Sequence, residues 1–129
     1  MEQSEQLSSK PRILIVEDNI IIGSGIKYNL IDVGYEVVDM VKSGNDAIKR
    51  AKKLKPDLIL MDIKLEGKID GIQAALVITK KLKIPIVYLS AYADDDEIMK
   101  RALGTQPFGY LSKPFNIKEL QNIIETSLK

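Results

Sequence analysis

The sequence predicts an α/β protein, a three-layer sandwich in which helices cover both faces of a five-stranded parallel sheet. Three short apolar runs support this class: RILIV at 12–16, LILMD at 58–62 and IVYLS at 86–90. Runs of four or five apolar residues between polar segments are typical of strands buried on both faces. Segments of helical periodicity separate these runs, and short connections join them, as in repeated βα units.

Strands and helices are expected to alternate along the chain. We predict strands at 12–16, 36–41, 58–61 leading into Asp62, 86–89 ending on Ser90, and 109–111. Each strand is followed by a helix with an apolar stripe. The stripes are Ile22, Ile26, Leu30 and Val33; Ala47, Ile48, Ala51 and Leu54; Ile72, Ala75, Leu76, Thr79 and Leu82; Ile98, Ala102 and Leu103; and Ile117, Leu120, Ile124 and Leu128. Gly34 should end the first helix, while Ser43 and Asn116 should cap the second and fifth.

The predicted strand order is 2-1-3-4-5, the flavodoxin-like (βα)5 arrangement. Right-handed crossovers leave few topologies, and the winding must reverse once to place helices on both faces. Strands one and three are then neighbours, so Asp18 and Asp62 should face each other across a crevice. We expect residues 11–129 to form this domain and residues 1–10, MEQSEQLSSK, to be a disordered lead-in.

Composition excludes several kinds of function. The chain has no cysteine and no histidine, which rules out disulfides, thiol nucleophiles, the usual zinc sites and Ser-His-Asp catalysis. With 19 basic and 18 acidic residues, the net charge of +1 gives no reason to expect binding to nucleic acid or a membrane surface. No apolar run approaches the roughly 20 residues that span a bilayer, and no signal peptide is evident, so a cytoplasmic location is expected.

Reactive polar residues stand at the ends of four predicted strands. Glu17 and Asp18 follow the first strand, Asp62 ends the third, Ser90 ends the fourth, and Lys113 comes shortly after the fifth. The carboxyl ends of parallel strands share one edge of a sheet, where α/β proteins bind ligands. Three carboxylates in one crevice repel each other unless a cation joins them, and their hard oxygen atoms suit Mg²⁺.

This set of groups is suited to phosphoryl transfer. An ionised Asp62 can attack phosphorus and form an acyl phosphate. Mg²⁺ and Lys113 would neutralise charge on the equatorial oxygens, and the Ser90 hydroxyl can then donate a hydrogen bond to one of them. No general base is required, because a carboxylate is already deprotonated at neutral pH.

The sequence resembles the receiver domain of response regulators in two-component (His-Asp) signalling. The likeness covers about residues 11–129. The matching residues are Glu17-Asp18, Asp62, Asp70-Gly71, Ser90-Ala91, Tyr110 and Lys113-Pro114-Phe115.

The resemblance implies a role for each matching group. Asp62 would accept a phosphoryl group from a sensor histidine kinase or a phosphotransfer protein and later lose it to water, so the domain is a phosphoacceptor rather than an enzyme. The output surface would be the fourth helix, fifth strand and fifth helix, which is also where a homodimer could form. The implied metal ligands are Glu17, Asp18, Asp62 and the backbone carbonyl of Lys64; the implied switch pair is Ser90 and Tyr110; and the Lys113-Pro114 bond would be cis.

Three features depart from the commonest receiver pattern. The loop after Asp62, IKLEGKIDG, has Glu66 where a proline is usual and is one residue longer. Ser90 replaces the commoner threonine. Lys64 and Tyr92 occupy the variable positions that flank the phosphoryl site, and we expect the bulky Tyr92 to shield an acyl phosphate from water.

Simpler interpretations exist for individual residues. Asp18 could cap the first helix, Ser90 could bond its own backbone, Lys113 could be a surface lysine, and Tyr110 could pack in the core.

Other functions fit the sequence less well. An Asp-nucleophile phosphohydrolase needs a second acid two residues after the nucleophile, where Lys64 stands. A flavodoxin-like cofactor binder needs a phosphate loop rich in hydroxyl groups and glycine, where EDNIIIGSG offers acids. A docking scaffold that works without phosphorylation would not need the complete acid, hydroxyl and lysine set. The chain is expected to be either a stand-alone receiver or one part of a larger regulator or hybrid kinase.

Overall fold

The computed structural model describes residues 10–92 and 94–129, and it confirms the predicted architecture. Its parallel sheet has the order β2-β1-β3-β4-β5. The strands are β1 Arg12–Val16, β2 Glu36–Val41, β3 Leu58–Asp62, β4 Ile86–Ser90 and β5 Gly109–Ser112. The helices in the described ranges are α1 Ile20–Asp32, α2 Gly44–Leu54, α3 Gly71–Lys81, α4 Asp96–Gly104 and α5 Ile117–Ser127. Nearly all of the predicted lead-in, residues 1–9, lies outside the described residues.

The three central strands are buried on both faces, as their continuous apolar runs predict. Every residue of β3 and β4 is buried. Successive side chains point to opposite faces, so Leu14 and Ile59 pack on the side of α2, α3 and α4, whereas Ile13 and Leu58 pack on the side of α1 and α5. The register aligns the carboxyl ends of neighbouring strands, with Val16 beside Met61 in β1 and β3. The residues that follow the strands are thereby brought to one edge.

The predicted apolar stripes are correct for the positions closest to the sheet and wrong at their margins. Ile26, Leu30, Ala47, Ala51, Ile72, Ala75, Ala102, Leu120 and Ile124 are buried, but Ile22, Val33, Leu76 and Leu103 are exposed. In α1, Gly23 occupies the inward position instead of Ile22. A glycine suits this position because a Cβ there would lie only 2.8 Å from Met40 Sδ. Close approach of the helix to β2 therefore turns Ile22 outward.

The helix caps agree with the sequence at most positions. Ser43 accepts a hydrogen bond from the Asp46 N–H, and Asn116 forms a capping box at the start of α5. Gly34 follows α1 with a φ of 101°, a conformation that glycine adopts without strain. The cap of α1 is Asn19, whose Oδ1 accepts from two backbone N–H groups. The interpretation of Asp18 as that cap is therefore wrong.

Two further expectations can be compared with the backbone. The Lys113–Pro114 peptide bond is cis, as the resemblance implied. Within the described ranges, no helix combines the length and apolar character that crossing a bilayer requires.

The start of α3 lies directly against the end of β3. The Gly71 N–H donates a hydrogen bond to the Ile63 carbonyl at 2.7 Å. A Cβ at position 71 would overlap the Asp62 carbonyl oxygen, which belongs to the backbone and cannot move aside cheaply. Only glycine fits at this position.

We therefore expect Gly71→Ala to lower the free energy of unfolding by about 2 kcal/mol or more, because the added methyl group forces β3 and α3 apart. Urea denaturation followed by circular dichroism measures this loss. Gly25→Ala is the matched control, since a Cβ there meets nothing within 4 Å. That variant should gain roughly 0.5 to 1 kcal/mol from helix propensity, and equal effects of the two substitutions would contradict the packing explanation.

Candidate functional site

The polar side chains that are buried in the described residues lie at the carboxyl edge of the sheet. They are Glu17, Asp62 and Ser90, at the ends of β1, β3 and β4. A buried carboxylate is unfavourable unless it is paired or protonated. Three of the predicted strand-end residues are therefore the buried polar groups of the described residues, and the two carboxylates among them need a partner or a proton.

Three carboxylates converge in an open cleft at this edge. Glu17, Asp18 and Asp62 each offer one oxygen, and these oxygens lie within 4.8 Å of one another. The cleft has a volume of about 320 Å³ and is also lined by Tyr92 and Lys113. Carboxylate oxygens at this spacing, with space for water and a phosphate group, fit a hard divalent cation.

Lys113 joins the cluster from the end of β5. Its Nζ donates to Glu17 Oε1 at 2.9 Å and to Asp62 Oδ2 at 3.1 Å. Its backbone N–H donates to the Ser90 carbonyl at 2.7 Å, which fixes the start of the side chain against β4. Since the side chain is only 21% exposed, the interpretation of Lys113 as a surface lysine is wrong.

Proton affinity in the cluster follows from burial and from these contacts. Burial and the neighbouring Glu17 carboxylate raise the pKa of Asp62 to about 7, against the lowering effect of Lys113. Burial alone raises the pKa of Glu17, but hydrogen bonds from Asp62, the Asn19 N–H and Lys113 outweigh it and lower that pKa. Burial also raises the pKa of Asp18, and the Glu17 charge adds to the effect. Without a cation, the pair Glu17 and Asp62 thus holds a proton near neutral pH.

Ser90 and Tyr92 are connected through the backbone. The Tyr92 N–H donates a hydrogen bond to Ser90 Oγ at 2.8 Å. The simpler interpretation of Ser90, in which its hydroxyl bonds to nearby backbone, therefore holds in this structure. The ring of Tyr92 lies with its centroid 5.9 Å from Lys64 Nζ. Lys64 and Tyr92 both line the carboxylate cleft, which agrees with their predicted positions flanking it.

Tyr110 lies apart from the cluster. It pairs with Tyr88 in the sheet, whereas Ser90 pairs with Ser112 at the carboxyl end of β5. Its side chain is 42% exposed, so the interpretation of Tyr110 as core packing is wrong.

Two residues near the site were missed in the sequence. The Asn19 N–H donates to Glu17 Oε2 at 3.1 Å. The preference of asparagine for helix N-caps was a signal that could have identified Asn19. Arg101 pairs with Asp70 at 2.9 Å across 31 positions of the chain, and no local pattern predicts such a contact.

Comparison with known proteins identifies the family. The family model of the response regulator receiver domain matches residues 13–125. The chain belongs to this family. It is thus a receiver domain of two-component response regulators, as the sequence resemblance indicated, and the matched region contains every residue of the strand-end cluster.

Curated relatives extend beyond the matched region. The chain is 38% identical over 117 residues to the transcriptional regulatory protein PdtaR of Mycobacterium tuberculosis, covering 91% of this chain and 56% of that protein. It is 34% identical to the alkaline phosphatase synthesis transcriptional regulatory protein PhoP of Bacillus subtilis, covering 92% and 48%. The receiver therefore spans about half the length of the curated relatives it matches.

Solved structures show the same fold. The signal receiver domain of a modulated diguanylate cyclase from Desulfovibrio desulfuricans G20 superposes with a TM-score of 0.87 at 33% identity, over 93% of this chain and 94% of that one. A CheY-like receiver domain protein from Methanospirillum hungatei JF-1 gives a TM-score of 0.85 at 26% identity, with the same coverage.

The raised pKa of Asp62 leads to a prediction about stability and pH. In the metal-free protein, the folded state keeps this proton up to about pH 7, while the unfolded state loses it near the ordinary aspartate pKa of 3.8. Wild type should therefore lose stability as the pH rises through this window, and Asp62→Asn should not. From pH 4 to pH 8, the stability of the variant relative to wild type should rise by on the order of 2 to 4 kcal/mol.

Urea denaturation with a metal chelator present, repeated across this pH range, measures the difference. Asp32→Asn, on the exposed side of α1, is the matched control and should follow wild type. A constant difference between Asp62→Asn and wild type would contradict the raised pKa.

Proposed function

We propose that this receiver accepts a phosphoryl group on Asp62 from a phosphohistidine of a sensor histidine kinase or a phosphotransfer protein. The observation that carries the proposal is the convergence of Asp62 with Glu17, Asp18 and Lys113, with the lysine Nζ within 3.1 Å of both buried carboxylates. In the transfer, an Asp62 oxygen forms a bond to phosphorus and the bond between phosphorus and the donor imidazole nitrogen breaks, leaving the electron pair on that nitrogen.

The carboxylates would hold Mg²⁺, with the backbone carbonyl of Lys64 as a further ligand. When bound, Mg²⁺ supplies positive charge beside the transferred oxygens. The positive charge of Mg²⁺ would also favour the ionised form of Asp62, which is the nucleophilic form. Lys113 already donates a hydrogen bond to Asp62. As Asp62 loses its negative charge in forming the acyl phosphate, Lys113 can donate a hydrogen bond to a phosphoryl oxygen instead.

Signalling then requires a change at the output surface of α4, β5 and α5. Ser90, buried beside Asp62 in β4, would donate its hydroxyl to a phosphoryl oxygen, and Tyr110 would turn inward from its exposed position. Phosphorylation would have to favour the switched conformation strongly, since roughly 5.5 kcal/mol is needed to move a two-state population from 1:99 to 99:1. The same surface could form a homodimer, and the cytoplasmic location expected from the sequence stays a prediction.

Incubation of the full chain with acetyl phosphate and Mg²⁺ tests the acceptor. Intact-mass spectrometry should show one added phosphate, which Asp62→Asn should abolish. Asp57→Asn is the control, because Asp57 lies at the opposite edge of the sheet, before β3, where it accepts a hydrogen bond from the Arg12 N–H. This variant should keep the adduct. Wild type that forms no adduct would favour the phosphorylation-independent docking scaffold.

Tyr92 should control how long the phosphate persists. Its ring lines the carboxylate cleft, so Tyr92→Ala opens a path for water and should shorten the half-life of the acyl phosphate severalfold, since positioning of groups around an attacking water alters rates strongly. Loss of radiolabelled phosphate from the isolated domain measures this rate. Tyr28→Ala, on exposed α1, should leave it unchanged, and an unchanged half-life in Tyr92→Ala would show that the ring does not shield the site.

A further inference from the structure

An ion pair joins α4 to the loop between β3 and α3. Arg101 Nη2 donates to Asp70 Oδ2 at 2.9 Å. Asp70 also caps α3, because its Oδ1 accepts from the Gln73 N–H at 2.8 Å while Gln73 Oε1 accepts from the Asp70 N–H at 2.8 Å. The two oxygens of Asp70 therefore serve two different elements.

The loop at 63–70 connects this ion pair to the carboxylate cluster. It begins directly after Asp62 and ends at Asp70. The Gly71 N–H bonds to the Ile63 carbonyl at 2.7 Å, which ties the two ends of the loop together. Lys64 is the next residue after Ile63, so a displacement of Asp70 reaches the Lys64 carbonyl through a short, hydrogen-bonded path.

An apolar contact and an ion pair both connect α4 to this loop: Ala102 of α4 lies in the same apolar cluster as Ile63 and Leu65 of the loop, and Ile98 packs against that cluster. Ala102 is the buried residue of α4, while Leu103 is exposed. Arg101 and Asp70 both line a cleft of about 350 Å³ that also touches Lys64 and Tyr92, and their ion pair closes the contact between α4 and the end of the loop. The apolar contact lies at the start of the loop, whereas the ion pair fixes its end at Asp70.

We propose that Arg101 is a positioning residue for the acid site. Through Asp70 it holds the 63–70 loop, and with it the Lys64 carbonyl, in the geometry that binds the cation. This inference rests on the proposed function, because it concerns the same cation site. By thermodynamic linkage, a cation bound beside Lys64 must in turn stabilise α4 in this position. The effect is modest, about two- to fivefold in affinity, because the ion pair is partly exposed.

Metal titration of the full chain tests the proposal without a phosphodonor. Arg101→Gln and Asp70→Asn should each weaken Mg²⁺ binding about two- to fivefold by isothermal titration calorimetry. Asparagine still caps α3, so Asp70→Asn removes the charge pair and keeps the helix start. The double variant should bind no more weakly than either single variant. Arg101→Lys, which keeps the charge, should recover part of the affinity.

Arg50→Gln is the matched control. It breaks the Arg50–Asp39 ion pair, which has a comparable exposure and a distance of 2.6 Å but links α2 to β2. Mg²⁺ affinity should not change in this variant.

A second measurement separates positioning from general loss of stability. Saturating Mg²⁺ should slow hydrogen exchange at the α4 amides in wild type and much less in Arg101→Gln. Phosphorylation of Arg101→Gln by acetyl phosphate should be slowed at limiting Mg²⁺ and normal at saturating Mg²⁺.

Equal Mg²⁺ affinity in wild type and Arg101→Gln would overturn the proposal, and so would an equal loss in Arg50→Gln. Wild type that binds Mg²⁺ but forms no acyl phosphate would contradict the proposed function alone, because the titration and exchange results do not depend on a donor. Wild type that binds no Mg²⁺ would overturn both.

Discussion

Glu17 and Asp62 share one lysine because β1 and β3 are neighbours and β5 ends at the same edge of the sheet. Both carboxylates are almost fully buried, and the Lys113 Nζ bonds to each. At Asp62, burial and the neighbouring Glu17 carboxylate outweigh the attraction of Lys113 and raise the pKa, so the pair holds one proton near neutral pH. Without a cation, this edge therefore disfavours ionisation of both carboxylates at once. Its geometry persists because the buried strands and the apolar layers on either side hold it in place.

Stability is consequently distributed unevenly through the molecule. β3 and β4 are wholly buried, and Gly71 brings α3 into contact with the backbone of Asp62. By contrast, α4 has a single buried residue, Ala102, and a polar link at its end, where the Tyr88 hydroxyl lies 2.7 Å from Thr105 Oγ1. Elements with few buried contacts are the ones that open or move most readily. A rigid acid edge beside a helix with one buried residue would suit the proposed switch, in which phosphorylation alters a distant surface.

The sequence predicted those features that depend on local pattern. Continuous apolar runs identified the buried strands, and right-handed winding then gave their order and the meeting of Asp18 with Asp62. The helix faces were less predictable, because periodicity does not show how closely a helix approaches the sheet: Gly23 allows α1 close to Met40 and turns Ile22 outward. The contact between Arg101 and Asp70 could not be predicted, since it depends on how a helix and a loop that are distant in sequence meet in space.

The hydrogen bond between Ser90 and Tyr92 connects two proposed roles in one short segment. The Ser90 oxygen accepts from the Tyr92 N–H, so its own proton remains free to be donated. A bond from this hydroxyl to a charged phosphoryl oxygen would be about twice as strong as a neutral one, whereas the Tyr92 bond contributes about 1 kcal/mol net. The proposed movement of Ser90 toward a phosphate would therefore be favourable even where it strains the Tyr92 bond. Since Tyr92 lines the cleft, such movement would shift the ring that is proposed to exclude water and would couple the proposed switch to the phosphate lifetime.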